Sequence, residues 1–150
     1  MTIKELENAF NIARQYLEEN LAEKLNEIAS NDLAGLISNR VELKGEDSEG
    51  NKFTEYSKGY KKSREKKGKQ TDFKDFSFTR DMWLNFDVVR KEKNAVYLGG
   101  KSKSSQDKID WSTMYEEISI IAANKEELAL VEGLLLKWCL ETVKKYTKTG

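Results

Sequence analysis

The sequence predicts an α+β fold: long N-terminal and C-terminal helices packed on a small, curved, mostly antiparallel sheet. Apolar residues recur every three or four positions near both ends of the chain, which is typical of amphipathic helices. In the middle, short apolar runs alternate with polar turns, which favours short strands. The chain has no proline, so long helices can run without a break. Its 150 residues suffice for a core, and we expect one domain over residues 1–150.

The N-terminal element has the clearest helical pattern. Thr2 and Glu5 have the spacing of a capping box, in which each side chain accepts a hydrogen bond from the other residue's backbone N–H. The apolar stripe behind them keeps helical spacing for about seven turns. It consists of Ile3, Leu6, Phe10, Ala13, Leu17, Leu21, Leu25 and Ile28. We expect residues 30–32, Ser-Asn-Asp, to interrupt this helix, and the apolar residues 33–37 are compatible with helix or strand.

The next segment reads as a strand, a loop and a basic helix. Val41 and Leu43 alternate with polar residues, which predicts a strand. Residues 45–51 are polar and rich in turn formers, which indicates a loop. Their acidic side chains do not have the spacing of an EF-hand, so a plain turn is preferred over a calcium site. Residues 56–70 predict a short basic helix, alone or with a loop, that ends near Gly68.

An aromatic cluster and a hairpin follow. Large apolar residues crowd residues 73–86, where a core or an interface has to cover them; they are Phe73, Phe76, Phe78, Met82, Trp83 and Phe86. We expect a strand at 76–78, a helical turn at 79–84, and hairpin strands at 86–90 and 95–98. Residues 99–108 predict a polar, mobile loop, and residues 111–117 a short helix.

The C-terminal helix is signalled at both of its ends. Asn124 is a favoured N-cap residue, and Glu126 and Glu127 suit the first turn. Lysines near the end suit the helix dipole. The apolar stripe between them consists of Leu128, Val131, Leu135, Trp138 and Val143.

The composition argues against most kinds of catalysis. Histidine is absent, which removes the commonest general base and most zinc sites. Cys139 is the single cysteine; this fits a reducing compartment, and we interpret it as a small buried apolar residue. No glycine-rich phosphate loop is present. We therefore expect no enzyme, no cofactor and no metal, with a small metal-dependent carboxylate enzyme as the weakest alternative.

The distribution of charge along the chain indicates which kinds of partner the protein favours. The chain is neutral overall, but residues 1–56 carry 6 basic and 12 acidic side chains, a net of −6. Residues 57–108 carry 15 and 7, a net of +8. Regions of opposite sign favour association with copies or with complementary neighbours. No stretch is long and apolar enough for a membrane span or a secretion signal, so we expect neither.

The basic segment, residues 58–69, allows three interpretations. A run of charge is most often a solvated helix face. The same cations could neutralise phosphates, although no helix-turn-helix, zinc-finger or RNA-recognition pattern accompanies them. They could also contact protein subunits. The candidate contact residues are Lys58, Lys61, Lys62, Arg64, Lys66, Lys67 and Lys69.

The middle of the chain resembles the head–tail connector, or tail-completion, proteins of tailed bacteriophages. The likeness covers roughly residues 33–100. Within this family, the chain resembles the versions from phages of Bacteroidetes hosts, including crAss-like phages, more than the others. The shared series is a G-x-D-x-x-G-x-x-F turn, Tyr-Ser, G-Y-x-x-x-R-x-x-x-G-x-Q, an Asp-Phe pair and a turn ending in Met. The turn and packing residues that carry it are Gly45, Asp47, Gly50, Phe53, Tyr56, Tyr60, Gly68, Gln70, Phe76 and Met82. Arg80-Asp81 depart from the pattern, which often has glycine there.

The resemblance implies a structural subunit of the virion. Such proteins pack a few helices on a curved sheet and form a ring in the phage neck, between portal and tail, through which DNA passes. We accordingly expect a ring of copies of this chain, twelve in number, that contacts the portal protein and adjacent neck or tail proteins. Assembly would take place in the bacterial cytoplasm. Non-specific contact with packaged DNA is a further expectation, and the alternative function is a nucleic-acid-binding module that uses residues 58–69.

Overall fold

Residues 1–148, which the computed structural model describes, form six α-helices and a two-stranded antiparallel sheet. In chain order these are α1 (Ile3–Ile28), a π-helical turn (Ala29–Leu33), α2 (Ala34–Lys44), α3 (Lys58–Glu65), α4 (Asp81–Leu84), β1 (Phe86–Lys91), β2 (Val96–Gly100), α5 (Lys103–Glu116) and α6 (Lys125–Thr147). The predicted α+β class, with long terminal helices, is confirmed. The sheet is smaller than expected, since it has two strands in the described residues.

The N-terminal helix continues further than expected. Its capping box is formed as predicted: Glu5 N–H donates to the Thr2 hydroxyl and Thr2 N–H donates to the Glu5 carboxylate. Residues 30–32 do not break the helix. They lie in the π-helical turn, which inserts a residue into the ladder and lets α1 continue into α2.

The predicted strand at 41–43 is wrong. Val41 is fully buried and Leu43 is 71% exposed, and both lie in the last turn of α2. Ala34, Ile37 and Val41, at helical spacing, pack into the core instead. Two alternating residues are too short a pattern to separate a strand from the edge of a helical stripe.

Helix α6 packs antiparallel to the long N-terminal helix. The Tyr16 and Tyr146 rings, in the middle of α1 and near the end of α6, lie 5.7 Å apart. At the other end, Arg40 Nε donates to Glu127 Oε1 at 2.8 Å. The predicted cap of α6 is confirmed, because Asn124 and Glu127 form a capping box. Cys139 is half-buried in α6 instead of fully buried.

The core lies where α2, α4, β1 and α5 converge. Its buried members are Ala34, Ile37, Val41, Phe53, Met82, Trp83, Phe86, Ile109 and Ile120. The Trp83 and Phe86 rings meet edge to face, with centroids 5.6 Å apart. Much of the predicted aromatic cluster is therefore core.

The segment between α3 and α4 has no strand, so the strand expected at 76–78 is wrong. Phe76 has φ of +52° and Arg80 has φ of +62°, a left-handed conformation that interrupts any extended run. Arg80 takes this conformation at a turn where the resembled pattern often has glycine. Its guanidinium is paired with Glu42 at 2.9 Å.

The hairpin is confirmed, but the loop expected after it is wrong. Strands β1 and β2 pair from Phe86–Gly100 to Lys91–Val96, with a bulge between Val88 and Arg90. The chain then enters α5 at Lys103, where the Ser102 hydroxyl accepts a hydrogen bond from Ser105 N–H. The expected helix at 111–117 is the second half of α5. Among residues 1–148, no helix has the length and apolar character needed to cross a bilayer.

Candidate interaction site: a basic helix and an aromatic groove

Arg64 is the structural centre of the basic segment. It was expected among the exposed contact residues, but it is 1% exposed. Its guanidinium donates to Gln70 O at 2.8 Å, to Ser77 O at 2.9 Å and to Asp75 Oδ2 at 2.8 Å. Arg64 therefore joins α3 to the segment that follows it, and does not reach solvent or a partner.

Asp75 completes this Arg64 network, which we define as Tyr56, Arg64, Gln70 and Asp75. Asp75 Oδ1 accepts from the Tyr56 hydroxyl at 2.8 Å, and Oδ2 accepts from Gln70 Nε2 at 2.7 Å. The Arg64 guanidinium also stacks 4.7 Å from the centre of the Tyr56 ring. Burial, with the Asp75 hydrogen bond next, raises the pKa of the Tyr56 phenol, which stays protonated at neutral pH. Four residues separated in sequence thus form one fully hydrogen-bonded unit.

Two glycines of the motif series allow the turns beside this network. Gly68 has φ of +66° and ends the turn after α3, where Lys69 N–H donates to Arg64 O. Gly45 has φ of +63° at the end of α2. A Cβ on Gly45 would lie 2.5 Å from the Phe73 ring, so glycine is required there by conformation and by space.

The remaining motif residues fold the 45–53 turn and its packing. Asp47 Oδ1 accepts from the backbone N–H of Glu49 and of Asn51, at 2.8 and 2.9 Å. Gly50 has φ of +84° in the same turn. Phe53 packs edge to face on Phe76, with ring centroids 4.9 Å apart. Asp47 therefore holds a turn, as the preferred interpretation of this segment expected.

The lysines of the basic segment remain on the surface. Lys61 is paired with Glu55 at 2.8 Å. Lys67 and Lys69 lie over the Phe78 ring, 5.3 and 5.6 Å from its centre. Four lysines are exposed and form no ion pair within residues 1–148; they are Lys58, Lys62, Lys66 and Lys67. The structure thus separates one buried arginine from a cationic outer face.

An open groove of about 800 Å³ lies between the start of α3, the segment before α4, and α5. We call it the aromatic groove after its lining rings, Tyr56, Tyr60, Phe76, Phe78, Trp111 and Tyr115. Trp111 and Tyr115 are each 70% exposed. Tyr60 packs against Tyr56 at 5.1 Å and against Phe78 at 5.9 Å. Exposed rings grouped this way are typical of a surface that a partner covers.

A paired lysine and glutamate lie in the lining of the aromatic groove. Lys74 forms an ion pair with Glu116 and donates to the Thr54 hydroxyl at 2.5 Å. Burial favours the protonated form of Glu116, but hydrogen bonds from Lys74 and Thr54 outweigh it and leave its pKa below the usual value. Lys74 Nζ also lies 4.6 Å from the centre of the Tyr115 ring. The pair ties the 54–74 region to the end of α5.

The sequence did not reveal the groove because α5 was expected to begin as a loop. Trp111 and Tyr115 were placed on a short helix without a partner surface. Ser102 and Ser105, three residues apart, are a cap signal that would have extended the helix to Lys103. The pattern gave no sign that α5 faces Tyr60 and Phe78, because that contact depends on tertiary packing.

The first three turns of α1 form a second exposed apolar surface. Ile3 is 80%, Leu6 37% and Phe10 48% exposed, whereas Ala13, next along the same stripe, is 1% exposed. Because Tyr16 meets Tyr146 near the end of α6, the preceding residues extend past that end. We call residues 3–12 the α1 tip.

The comparisons with known proteins give no assignment. Neither the protein families, nor the curated proteins, nor the solved structures searched contain a match to this chain. Among residues 1–148, no group of three or more potential metal-ligating side chains is arranged to hold a metal ion.

Proposed function

We propose that the chain is a structural subunit of a tailed-bacteriophage neck, forming a ring of twelve copies between portal and tail as part of the DNA passage. The observation that carries the proposal is the Arg64 network. In the motif series that resembles connector proteins, Tyr56, Arg64, Gln70 and Asp75 come from separate motifs between residues 56 and 75 and form one hydrogen-bonded unit. This supports interpreting the series as the scaffold of one substructure, and not as a chance set of turn residues.

Exposed apolar side chains support assembly as the role of this scaffold. Besides the α1 tip and the aromatic groove, α6 exposes Leu136 at 61% and Leu140 at 52%. Apolar side chains at this exposure, on several faces of one chain, are typical of a subunit that neighbours cover. The charged side chains in the groove are mostly paired with each other, as in Lys74–Glu116 and Lys108–Asp81. Such pairing suits a contact surface better than a catalytic centre.

The proposal is tested by locating the chain in particles. Mass spectrometry of purified virions should detect it at the copy number of a single ring of twelve, and cryo-electron microscopy should place it between portal and tail. Co-expression with the portal protein should yield rings of fixed size. A complete neck that lacks this chain would contradict the proposal.

The second candidate function is nucleic-acid binding by the exposed lysines. The observation that favours it is the cationic surface of α3 and the turn after it, where Lys58, Lys62, Lys66 and Lys67 lack ion-pair partners within residues 1–148. Four phosphate contacts predict a slope near −3.6 in a plot of log K against log salt concentration. Measuring duplex-DNA affinity between about 50 and 200 mM salt tests this. A slope near zero would remove the candidate.

A further inference from the structure

The α1 tip is a helical segment with an apolar stripe and no cover among residues 1–148. The stripe is buried at Ala13, and Tyr16 contacts Tyr146 just before α6 ends at Thr147. About 15 Å of helix therefore extends beyond α6. Along this length Ile3, Leu6 and Phe10 stay exposed. Amphipathic helices of this kind are stabilised when an apolar groove receives their stripe.

The aromatic groove offers the matching shape at the other end of the molecule. It is open, lined by rings, and bordered on one side by the whole length of α5. Its position is fixed near the end of α2 by the Arg80–Glu42 ion pair. The α1 tip begins the same long helix that α2 ends, and residues 3–44 span about 60 Å. The tip therefore cannot reach the groove of its own chain.

The charges around the two surfaces are complementary. Helix α1 carries 3 basic and 6 acidic side chains over Ile3–Ile28; on the tip these are Lys4, Glu5 and Glu7, a net of −1. Beside the groove, residues 58–69 carry 7 basic side chains and 1 acidic one. The groove lining itself carries a small positive excess, from Lys74, Arg80, Lys103 and Lys108 against Asp81, Asp107 and Glu116. Complementary fields of this kind orient a docking helix and raise its association rate.

We propose that the aromatic groove of one copy receives the α1 tip of a second copy. The occupant is a segment of the same chain, recognised by its apolar stripe and its acidic flank. Because tip and groove are different surfaces at opposite ends, each copy donates one and accepts one. Such a head-to-tail contact closes into a ring when its rotation is suitable. The inference deepens the proposed function and rests on it, by naming the contact between ring neighbours.

The test uses the full chain with one surface disabled at a time. Phe10→Asp places a charge on the tip and Trp111→Asp places one in the groove, both at exposed sites that leave the core intact. Each variant alone should associate at least about 30-fold more weakly than the wild type, because it loses a central aromatic anchor. Mass photometry and sedimentation velocity measure the loss.

Mixing the two variants is the decisive measurement. The intact tip of the Trp111→Asp chain should enter the intact groove of the Phe10→Asp chain, giving a dimer that cannot grow. Met114→Asp is the matched control, since Met114 is 67% exposed on the same helix but does not line the groove. It should assemble like the wild type. A mixture that stays monomeric while the wild type assembles would overturn the inference.

Disulfide trapping tests the same contact between copies if they associate too weakly for a complex to be detected at equilibrium. In a Cys139→Ser background, chains with Phe10→Cys and chains with Tyr115→Cys should form mixed disulfide dimers in preference to chains with Met114→Cys. A wild type that stays monomeric, together with no preferred cross-link, also overturns the inference. Rings that form normally from Phe10→Asp would overturn it while leaving the proposed function intact. Absence of the chain from the neck would instead remove the proposed function, whatever the cross-links show.

Discussion

Single residues decide how the basic segment is built, and Arg64 is the most consequential of them. A buried guanidinium that serves two carbonyl groups and one carboxylate is costly to remove, because its partners stay behind without hydrogen bonds. Lysine cannot replace it, because an ammonium group does not match three acceptors in one plane. Arg64, which the sequence presents as one more surface cation, is therefore the residue that holds α3 against the segment that follows it.

Arg64→Ala should lower the free energy of unfolding by about 3 kcal/mol, because Asp75 then keeps a buried charge without its cation. Urea denaturation followed by circular dichroism measures this. Lys62→Ala is the matched control on the same helix, where an exposed side chain should change stability by less than about 0.5 kcal/mol. Equal effects of the two substitutions would contradict the structural role of Arg64.

Gly45 is the second position where a single substitution should destabilise the fold. Gly45→Ala should cost about 2 kcal/mol, from the left-handed conformation and from contact with the Phe73 ring. Gly133→Ala is the control, because Gly133 lies inside α6 with no atom within 4 Å of a new Cβ. It should stabilise the chain by up to about 1 kcal/mol. Thermal unfolding of both variants measures these changes in stability. A Gly45→Ala variant as stable as the wild type would show that the turn can rearrange without cost.

At the scale of elements, two capping boxes with the same hydrogen-bond pattern have different surroundings. The Thr2–Glu5 box starts the exposed α1 tip. The Asn124–Glu127 box starts α6, and its Glu127 carboxylate also binds the buried Arg40. Arg40 in turn donates to Glu46 O and Ala122 O, each at 2.7 Å. The first box therefore only caps the start of α1. The second also connects α6 to Arg40 in α2 and, through Arg40, to the backbone at Glu46 and Ala122.

Asn124→Ala should lower global stability by about 1–2 kcal/mol, because Glu127 N–H loses its acceptor in the first turn of a helix that packs along α1. Thr2→Ala should lower it by less than about 0.5 kcal/mol, since the tip can fray without disturbing the core. Urea unfolding gives the global values, and hydrogen exchange locates the fraying in residues 3–12. Equal global losses would mean that the tip is packed.

At the scale of the whole molecule, two carboxylates link separate regions and tune acid stability. Glu116 joins α5 to Lys74 and Thr54. Asp87 joins β1 to Ser30 and Lys101. Burial acts to raise the pKa of Asp87, but hydrogen bonds from Lys101 and Ser30 lower it overall. Both groups thus have a pKa in the folded chain below the ordinary values of 4.5 and 3.8.

A lowered pKa in the folded state contributes stability above the unfolded value, and that contribution is lost as pH falls through the folded value. The free energy of unfolding should therefore fall steadily below about pH 4.5. Glu116→Gln should flatten this fall, and adding Asp87→Asn should flatten it further. Urea titrations at several pH values measure the slope. An acid slope unchanged in the double variant would contradict the assignment.

The two terminal helices were predictable from the sequence because interactions between residues close in sequence determine them. Stripes at helical spacing and the cap residues Thr2 and Asn124 specify α1 and α6 without help from distant contacts, and the hairpin at 86–100 follows from its own alternation. The errors fall where the pattern is short. Two alternating residues suggested a strand at 41–43, and a Ser/Lys-rich run suggested a loop where α5 begins. In both places the core, through Ile37, Val41 and Ile109, selects the helix.

What the sequence determined by itself was the fold class, the long helices and the separation of charge into an acidic and a basic region. Only the tertiary structure decided which cation of the basic segment is buried and which rings line a groove. The physical reason is that spacing along one element fixes which side chains share its face, whereas a partner from another element depends on how the elements pack. Arg64 and Lys62 are both cations of the same charge run, and they differ in burial because the Arg64 guanidinium pairs with Asp75.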